Sequence, residues 1–337
     1  MLLTLGIPVY NGEKCLTQTL ESLKISLDYC KNKNLFEILI SDNASIDQTY
    51  ASIKGFTDKG LEIQYFRNIE NIGYDRNINN IVQYARGKYV WFLGCGETLK
   101  EDALQRLEEK LNVQTEYSNI VLDFDIYDEA LEKITDTKIY PLDNDIILEG
   151  KNNFSHDKYA LAVSSNIINK RMWNEISNQK LVVKGWAHIE RILSIIALNE
   201  DSKTLILPGP YFTLFREKNG WWTKQNSSLL SFLLLHIEVI ESMKSKGFKP
   251  SVVDKLRKQQ SRIPIIIGIL DLKTQKFTLD QNIIYKMLRM FSTDYFFWSF
   301  IFPLLWIPNF LLFIPKAILK LLTELSKVLH HVKKIIY

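Results

Sequence analysis

Short apolar runs alternate with amphipathic stretches through the first hundred residues of the chain. Runs of apolar residues predict strands at 2–9, 36–40, 61–66 and 89–93. The stretches between them have helical spacing, with a first helix predicted by Leu16, Leu20, Leu23 and Leu27 and another expected over 75–85. Strands that alternate with helices predict an α/β fold whose sheet is mostly parallel, with helices on both faces.

The pattern changes along the rest of the chain. A strand is predicted at 120–126, a helix from about Ala187, and further helices at 229–243 and 263–272. Residues 295–314 carry no charged side chain, and 316–337 have an amphipathic pattern rich in lysine. We therefore divide the chain into four regions, 1–125, 126–225, 226–292 and 293–337.

Polar residues follow the predicted strands, where a ligand site is expected. The first strand ends in Pro8-Val9-Tyr10-Asn11, the second runs into Ser41-Asp42-Asn43-Ala44-Ser45-Ile46-Asp47, and the third leads to Asn71-Ile72-Gly73. In open α/β sheets, ligands bind just beyond the carboxyl ends of the strands. Ser and Asp side chains also cap helices, and capping alone would explain Asp47.

These three motifs, in this order, resemble the nucleotide-binding half of a family 2 glycosyltransferase of the GT-A type. The resemblance covers about residues 1–100 and points toward enzymes that build bacterial surface polysaccharides, such as abequosyltransferase-like proteins. It implies a GT-A-like, Rossmann-like sheet that binds a nucleotide-sugar donor. Regions 1–125 and 126–225 would then be the donor-binding half and the acceptor-binding, catalytic half of one GT-A domain, followed by a helical region and a tail.

The resemblance also implies where the donor would bind. Eight residues are assigned to donor binding on this basis: Pro8, Tyr10, Asn11, Asp42, Asn43, Arg76, Asn77 and Gly96. Pro8 and Tyr10 would wall the base and the ribose, and Asp42 would accept a hydrogen bond from the base. Arg76 and Asn77 would reach the diphosphate or line the pocket, unless they belong to an exposed helix face. The alternative for Asp42 is a solvated cap and turn.

The segment Gly94-Cys95-Gly96-Glu97 departs from the family pattern. Family members usually carry an Asp-x-Asp cluster here, whose oxygens hold a divalent cation against the diphosphate. One carboxylate, Glu97, can hold Mg²⁺ or Mn²⁺ when phosphates and water supply the other ligands. Three interpretations stay open: Glu97 holds the metal alone, the enzyme works without metal through cationic side chains, or the protein is a degenerate binder.

A general base is expected at the start of the helix near Ala187. An inverting transfer needs a base that takes the proton from the acceptor hydroxyl, and the family usually supplies a carboxylate in this region. Here the candidates are His188 and Glu190. At 100° per residue they fall on opposite flanks of the apolar stripe, so only one can readily face a given cleft. The alternatives are a packed histidine beside Trp186 and a structural ion pair.

Two further features bear on the acceptor and the membrane. Trp221 and Trp222 are assigned to the acceptor, because adjacent aromatic rings can stack on a sugar; a lid, a membrane-facing pair or a core corner are the alternatives. The charge-free run 295–314 is about 20 residues long, as a membrane span requires, but its prolines favour an interfacial or re-entrant hairpin. The basic amphipathic stretch that follows is typical of a helix on an anionic membrane, or of a helix buried in a dimer.

Composition narrows the function classes. The formal net charge of +4 is too small to argue for a nucleic acid partner. Three cysteines form no disulfide framework, which agrees with a reducing cytosol, and the first apolar run lacks the basic flank of a signal peptide. We therefore expect a cytoplasmic protein that is peripheral or monotopic on the inner face of the cell membrane.

The expected function follows from these points. We expect an inverting glycosyltransferase that moves a sugar from a nucleotide-diphosphate donor to a saccharide acceptor, expected to be lipid-linked, in surface polysaccharide biosynthesis. The alternative is a catalytically inactive sugar-nucleotide-binding or scaffold protein at the membrane. The missing acidic pair at Gly94 and Gly96 is the main support for that alternative.

Overall fold

The computed structural model describes residues 1–129, 132–136, 143–151, 162–179, 181, 183, 185–216, 229–261, 263–274 and 281–308. The chain divides into two compact units. The first unit comprises Met1–Gly220 and Val239–Leu256, and the second comprises Trp221–Glu238 and Arg257–Tyr337. The division into four regions made from the sequence stays a prediction.

The first unit is built on one sheet. Its strands, within the described residues, are β1 Leu3–Val9, β2 Phe36–Asp42, β3 Ile63–Arg67, β4 Tyr89–Phe92, β5 Thr98–Leu99, β6 Asn119–Asp128, β7 Lys133–Asp136, β8 Ile146–Glu149, β9 Asn166–Asn169 and β10 Lys203–Arg216. The order across the sheet is β3-β2-β1-β4-β9-β6-β10-β5, with β7 paired to β6 and β8 to β10. The predicted strands of the first hundred residues and the strand at 120–126 are therefore confirmed.

The sheet is mixed, so the expectation of a mostly parallel sheet is confirmed only in part. The strands β3, β2, β1 and β4 are parallel, as predicted. Beyond β4 the strand β9 runs antiparallel to both of its neighbours, β4 and β6, although β6 and β10 are again parallel. The short strands β5, β7 and β8 add antiparallel pairs. The four strands of the first part of the chain follow the parallel expectation, and the antiparallel pairs all involve strands that come after β4 in the chain.

The helices follow the apolar spacing of the sequence. Described helices are α1 Leu16–Asp28, α2 Thr49–Thr57, α3 Tyr74–Tyr84, α4 Ala103–Leu111, α5 Lys170–Glu175, α6 Ala187–Leu198, α7 Leu229–Ser242, α8 Pro250–Ser261, α9 Ile263–Thr274, α10 Gln281–Phe291 and α11 Phe302–Trp306. A π-helical turn, Phe297–Ile301, leads directly into α11. The helices predicted near 75–85, from Ala187, at 229–243 and at 263–272 are confirmed to within about two residues.

Successive residues of β1 point to opposite faces of the sheet. Leu3, Leu5 and Ile7 pack in one cluster with the buried leucines of α1 and α4. Gly6 points to the opposite face, where α3 lies so close that a Cβ on Gly6 would fall 2.3 Å from Ile81 Cγ2. The alternation of side chains along a strand accounts for both contacts. Helices therefore cover both faces of the parallel half, as the sequence predicted.

The second unit has a separate apolar core. Its buried cluster joins the start of α7 with α9, α10, the π-helical turn and α11. Lys273, at the end of α9, donates from Nζ to the carbonyl oxygens of Leu304, Leu305 and Ile307 at 3.1, 2.9 and 2.7 Å. This ammonium group satisfies carbonyls that the end of α11 leaves without helical partners. Burial lowers the pKa of Lys273.

The part of the chain predicted to contact membrane is only partly described. Among the described residues, no helix combines the length and the apolar character needed to cross a bilayer. The π-helical turn and α11 cover residues 297–306, and the amphipathic stretch 316–337 lies outside the described residues. The predicted hairpin and basic helix therefore stay predictions.

The close approach of α3 to β1 is testable with a matched pair of glycines. We expect Gly6→Ala to lower the free energy of unfolding by about 1–3 kcal/mol, because the added methyl group overlaps Ile81. Gly55, exposed in α2, is the control, since a Cβ added there would have no atom within 4 Å. Gly55→Ala should raise stability by about 0.5–1 kcal/mol, because alanine favours the helix. Urea unfolding of both variants measures the difference, and equal stability of Gly6→Ala and wild type would contradict the packing.

Candidate functional site

The carboxylate of Asp42 organises the end of β2. Asp42 is 1% exposed. Its Oδ1 accepts hydrogen bonds from Ser45 N at 2.8 Å and Ser45 Oγ at 2.5 Å, and its Oδ2 accepts one from Tyr65 OH at 2.8 Å. Arg67 Nε lies 3.7 Å from Oδ2. Burial, followed by the hydrogen bond to Asp42, raises the pKa of Tyr65 well above its usual value. Asp42 is thus more than the solvated cap that was the alternative from sequence.

The turn after β1 is tied to the same loop. Asn11 N donates to Ser45 Oγ at 2.8 Å, and Asn11 Oδ1 accepts from Ile46 N at 3.0 Å. Asn11 has a φ of 54°, a conformation that asparagine tolerates better than most residues. Asp47 accepts from Thr49 N and Glu13 N at 3.1 and 3.0 Å, so its turn role accounts for it. These bonds hold the ends of β1 and β2 beside each other.

A network of asparagine side chains fixes the loop after β3. Asn43 Nδ2 donates to Asn71 Oδ1 at 2.8 Å, and Asn43 Oδ1 accepts from Asn68 Nδ2 at 3.0 Å. Asn77, on α3, donates to the carbonyl of Ser41 at 3.0 Å and accepts from Ser41 Oγ at 2.8 Å. Asn43 and Asn77 were assigned to donor binding, and their amides are engaged within the protein. They hold the loop that carries Gly73 at the carboxyl edge of the sheet.

The segment after β4 folds back on itself around Glu97. Gly94 N donates to Glu97 Oε2 at 3.0 Å and to Ser164 Oγ at 2.9 Å. A Cβ on Gly94 would lie 2.9 Å from Glu97 Cδ, so a side chain at position 94 would displace the carboxylate. Gly96 is anchored to α1, because its N–H donates to Thr19 Oγ1 and its carbonyl accepts from Gln18 Nε2. The two glycines therefore give Glu97 its position.

Glu97 is the acidic group that this segment offers to a cation. The residue as a whole is partly solvent-exposed, but burial around its carboxyl group raises the pKa of Glu97 to about 7. The hydrogen bond with Ser164 lowers this pKa, but by less than burial raises it. Within the described residues, no group of three or more His, Cys, Asp or Glu side chains could hold a metal ion. One carboxylate fits a Mg²⁺ or Mn²⁺ site whose other ligands come from substrate phosphates and water.

The thiol of Cys95 lies on the side of this segment that faces α1. A Cβ on Gly12 would lie 3.0 Å from Cys95 Sγ and 3.8 Å from Cys15 Sγ. A hydrogen bond with Cys15 and burial raise the pKa of Cys95. A thiol that stays protonated is a poor metal ligand, so Glu97 is left as the candidate.

His188 is held between two aromatic rings at the start of α6. It is 3% exposed, stacked on Trp186 at a centroid distance of 5.9 Å and edge-on to Tyr74 at 6.3 Å. Although 38% of Tyr74 is exposed, desolvation at its hydroxyl, with smaller effects of Asp75 and Glu97, raises its pKa well above the usual value. Tyr74 therefore packs against His188.

Glu190 points to different partners. It is 1% exposed, its Oε2 accepts from Val183 N at 3.2 Å, and its Oε1 lies 3.9 Å from Lys246 Nζ. Asp75, in the first turn of α3, accepts hydrogen bonds from the backbone at the start of α6. The two base candidates thus occupy different surroundings, as their spacing indicated, and His188 is the one in contact with α3, through Tyr74.

The remaining assigned residues are placed as follows. Pro8 is half-buried near the end of β1, Tyr10 is 50% exposed just beyond it, and Arg76 is exposed on α3. Trp221 and Trp222 lie outside the described residues, so their assignment to the acceptor stays a prediction.

An open cavity of about 650 Å³ lies away from this edge, lined by residues that include Lys88, Asn169 and Arg171 at the amino end of β4.

Sequence reasoning missed several residues that shape the site. Tyr65 and Arg67 contact Asp42 from β3, Ser164 contacts Gly94 and Glu97, and Tyr74 contacts His188. Tyr65 and Arg67 lie on the strand next to β2 and could have been considered from strand order. No sequence signal pointed to Ser164, because its position depends on the antiparallel strand β9.

Comparisons with solved structures show the fold. The structure of S. aureus TarS residues 1–349 in complex with UDP matches with a TM-score of 0.62 and 14% identity, covering 87% of this chain and 79% of that one. TarS 1–349 with UDP-GlcNAc gives 0.60 and 15%, covering 86% and 85%. The mannosyltransferase PcManGT from Pyrobaculum calidifontis, in complex with GDP-Man and Mn²⁺, gives 0.58 and 13%, covering 95% and 80%.

Comparison at the sequence level shows the family. A search of curated proteins found no match. Residues 4–218 match Glycosyl transferase family 2, and this segment contains the strands and loops that form the site. The matched segment is more than half of the chain, and its fold is that of GT-A glycosyltransferases. The chain therefore belongs to glycosyl transferase family 2.

Proposed function

We propose that this glycosyltransferase inverts the anomeric carbon as it moves a sugar from a nucleoside-diphosphate donor to a saccharide hydroxyl. The acceptor oxygen would bond to the anomeric carbon while the bond to the diphosphate breaks. The hydroxyl proton would pass to a base and the nucleoside diphosphate would leave. The observation that carries the proposal is the convergence of the ends of β1, β2 and β4 at one edge, with Asp42, Asn11 and Glu97 fixed there by hydrogen bonds.

The donor would bind along this edge of the sheet, the donor-side edge, which is formed by the ends of β1, β2 and β4 and the loop before α3. Asp42 Oδ2 accepts one hydrogen bond, from Tyr65 OH, and a base N–H would be the second donor to this oxygen. Tyr10 is half-exposed and offers a ring next to it, and Arg76 is an exposed cation on α3 for the diphosphate. Asn43, Asn77 and the glycine at 96 would act by holding the loops that surround the donor. The solved neighbours bound to UDP, UDP-GlcNAc and GDP-Man support a donor of this class.

A divalent cation would be held by Glu97 together with the donor phosphates. Mg²⁺ or Mn²⁺ bound there would neutralise the charge that develops on the leaving diphosphate. A raised pKa means that Glu97 without a cation takes up a proton near neutral pH, which a cation would displace. PcManGT with GDP-Man and Mn²⁺ supports a metal in this fold, while a reaction without metal stays the competing interpretation.

His188 would be the base that receives the acceptor proton. It is the base candidate that contacts the donor-side edge through Tyr74, whereas Glu190 is engaged with Val183 N and faces Lys246. Imidazole has an ordinary pKa close to neutral pH, so histidine is a common general base. Glu190 would then hold the loop before α6.

The acceptor would be a lipid-linked saccharide at the inner face of the cell membrane, used in surface polysaccharide biosynthesis. The support from the described residues is a set of exposed aromatic rings near the end of the second unit: Tyr295 at 82%, Trp298 at 43%, Phe300 at 56% and Trp306 at 68%. Aromatic rings of this kind favour the membrane interface. Five lysines follow in the sequence at 316–337 and would meet anionic headgroups.

Nucleotide binding tests the donor site and separates the enzyme from an inactive scaffold. UDP, GDP, dTDP and CDP would be titrated by calorimetry, and we expect one of them to bind. Asp42→Asn should weaken that binding by about 1–3 kcal/mol, because a hydrogen bond to a charged group is lost. Tyr65→Phe is the control, since it removes a neighbour of Asp42 but keeps the carboxylate.

The outcomes are distinct. If none of the four nucleotides binds the wild-type chain, the donor proposal fails. Equal weakening by Tyr65→Phe and Asp42→Asn would assign Asp42 a structural role only. Nucleotide binding without sugar transfer to any acceptor would support the inactive binder over the enzyme.

Metal binding tests Glu97 and has a defined pH dependence. A raised folded-state pKa of about 7 means that the carboxyl is neutral below pH 7 and charged above it. We expect the Mn²⁺ affinity of the wild-type chain to fall about tenfold for each pH unit below 7, whereas the affinity of Glu97→Gln should not show this fall. The affinity is measured by electron paramagnetic resonance with the nucleotide bound. Glu97→Gln should bind weakly at every pH, while Glu70→Gln, an exposed control, should match wild type. Equal Mn²⁺ binding by Glu97→Gln and wild type would exclude Glu97 as a ligand.

Membrane association can be tested without truncation. Truncation after Asp294 would remove Phe297, Ile301 and Leu304, which belong to the core of the second unit. Substitution of the exposed rings Phe300 and Trp306 by Ser is the better variant. We expect the full-length chain to sediment with anionic vesicles at low salt, and the double variant to bind at least about tenfold more weakly, since apolar area at the interface is lost.

Tyr285→Ser is the matched control, because Tyr285 is 70% exposed on α10 in the same unit. This variant should bind vesicles as wild type does. A wild-type chain that stays in the supernatant at low salt would contradict membrane association, and the exposed rings would then be a protein–protein surface.

A further inference from the structure

The helix that carries His188 begins without a cap from its own sequence. Helix α6 starts at Ala187, and the preceding residue, Trp186, offers no side chain that caps it. The first N–H groups of a helix have no intrahelical acceptor, so they need one from elsewhere. The chain before α6 also turns at Gly185, which has a φ of +88°.

Asp75 supplies the missing acceptor from another part of the fold. Its Oδ1 accepts from Ala187 N at 3.2 Å, and its Oδ2 accepts from Gly185 N at 2.6 Å. Asp75 lies in the first turn of α3, more than 100 residues away in sequence. Its negative charge therefore meets the positive ends of two helices at once, α3 and α6.

These bonds join the donor-side edge to the base. Gly73 and Tyr74 begin α3 at the end of the loop held by the asparagine network. Tyr74, directly before Asp75, packs edge-on to His188, which directly follows Ala187. The pair of hydrogen bonds thus fixes the start of α6 against the start of α3, one residue away from the contact between the two rings.

We propose that Asp75 is a positioning residue for the acceptor base, acting through the start of α6 on the placement of the His188 ring. The proposal rests on the role of His188 in the proposed function. Asp75 itself would touch neither the donor nor the acceptor. Its effect should therefore appear in the rate of transfer and leave nucleotide binding unchanged.

The chemistry of the cap favours a carboxylate over its amide. Both bonds are accepted by Asp75 from backbone N–H groups, and a carboxylate has an acceptor oxygen for each. An asparagine has one acceptor oxygen, and its NH₂ group would face an N–H donor. Asp75→Asn keeps the size of the side chain, so it isolates the loss of one bond and of the charge.

The experiment uses the full-length chain and three measurements. Amide hydrogen exchange over residues 185–198 reports the start of α6 without reference to activity. Calorimetry with the tightest-binding of UDP, GDP, dTDP and CDP reports the donor site. Steady-state kinetics with the identified donor and acceptor reports kcat and KM. Asp102→Asn is the matched control, because Asp102 precedes α4 and pairs with Arg106 at 3.2 Å.

We expect Asp75→Asn to speed amide exchange at the start of α6 and to leave nucleotide affinity within about twofold of wild type. The kcat should fall by about 10- to 100-fold, because small misplacements of a reacting group lower rates by this order. Asp102→Asn should change none of the three. Unchanged exchange in Asp75→Asn would overturn the cap, and faster exchange with a wild-type kcat would overturn the positioning role.

Failure of the proposed function gives a different result. If the wild-type chain transfers no sugar, the base assignment and the positioning role fall together, although the exchange difference would persist as a purely structural cap. If His188→Ala keeps full kcat while Asp75→Asn does not, Asp75 acts through another residue and the proposal is overturned.

Discussion

The buried carboxylate of Asp42 is the constraint on which the donor-side edge depends. A charge that is 1% exposed must be satisfied by hydrogen bonds, because desolvation without partners would cost several kcal/mol. The partners come from the loop after β2 and from β3, through Ser45 and Tyr65. Ser45 in turn accepts from Asn11 after β1, so one carboxylate fixes the relative positions of three strand ends. A site that recognises a ligand by hydrogen bonds needs this kind of rigidity.

The second organising feature is the segment after β4, where the side chain of Glu97 packs against the backbone of Gly94. Glycine at 94 makes room for the carboxyl group of Glu97, and Ser164 from the antiparallel part of the sheet orients it. The segment Gly94–Glu97 therefore presents one carboxylate in a defined place. Because burial raises the pKa of Glu97 to about 7, a cation or another positive group nearby would stabilise its ionised form.

The start of α6, which carries His188 and Glu190, follows a different physical rule. His188 is oriented by the faces and edges of Trp186 and Tyr74, and Glu190 by a backbone N–H and a nearby lysine. Aromatic packing on two sides sets the direction of the His188 ring. Asp75 connects this region to the donor side by hydrogen bonds to the start of α6. Local packing and one long-range cap together hold two parts of the site that are far apart in sequence.

The sequence by itself determined the helices and strands of the donor half, since the period of apolar residues there matches buried faces, and the ordered motifs placed Asp42, Asn11 and Glu97 at strand ends. It also separated His188 from Glu190, because helical spacing puts them on different flanks. Only the tertiary structure decided the antiparallel insertion of β9, the asparagine network, and the contacts of Tyr65, Ser164 and Asp75. Those features depend on strand order and on hydrogen bonds between residues tens to over a hundred positions apart, which periodicity cannot report because it describes only neighbours along the chain.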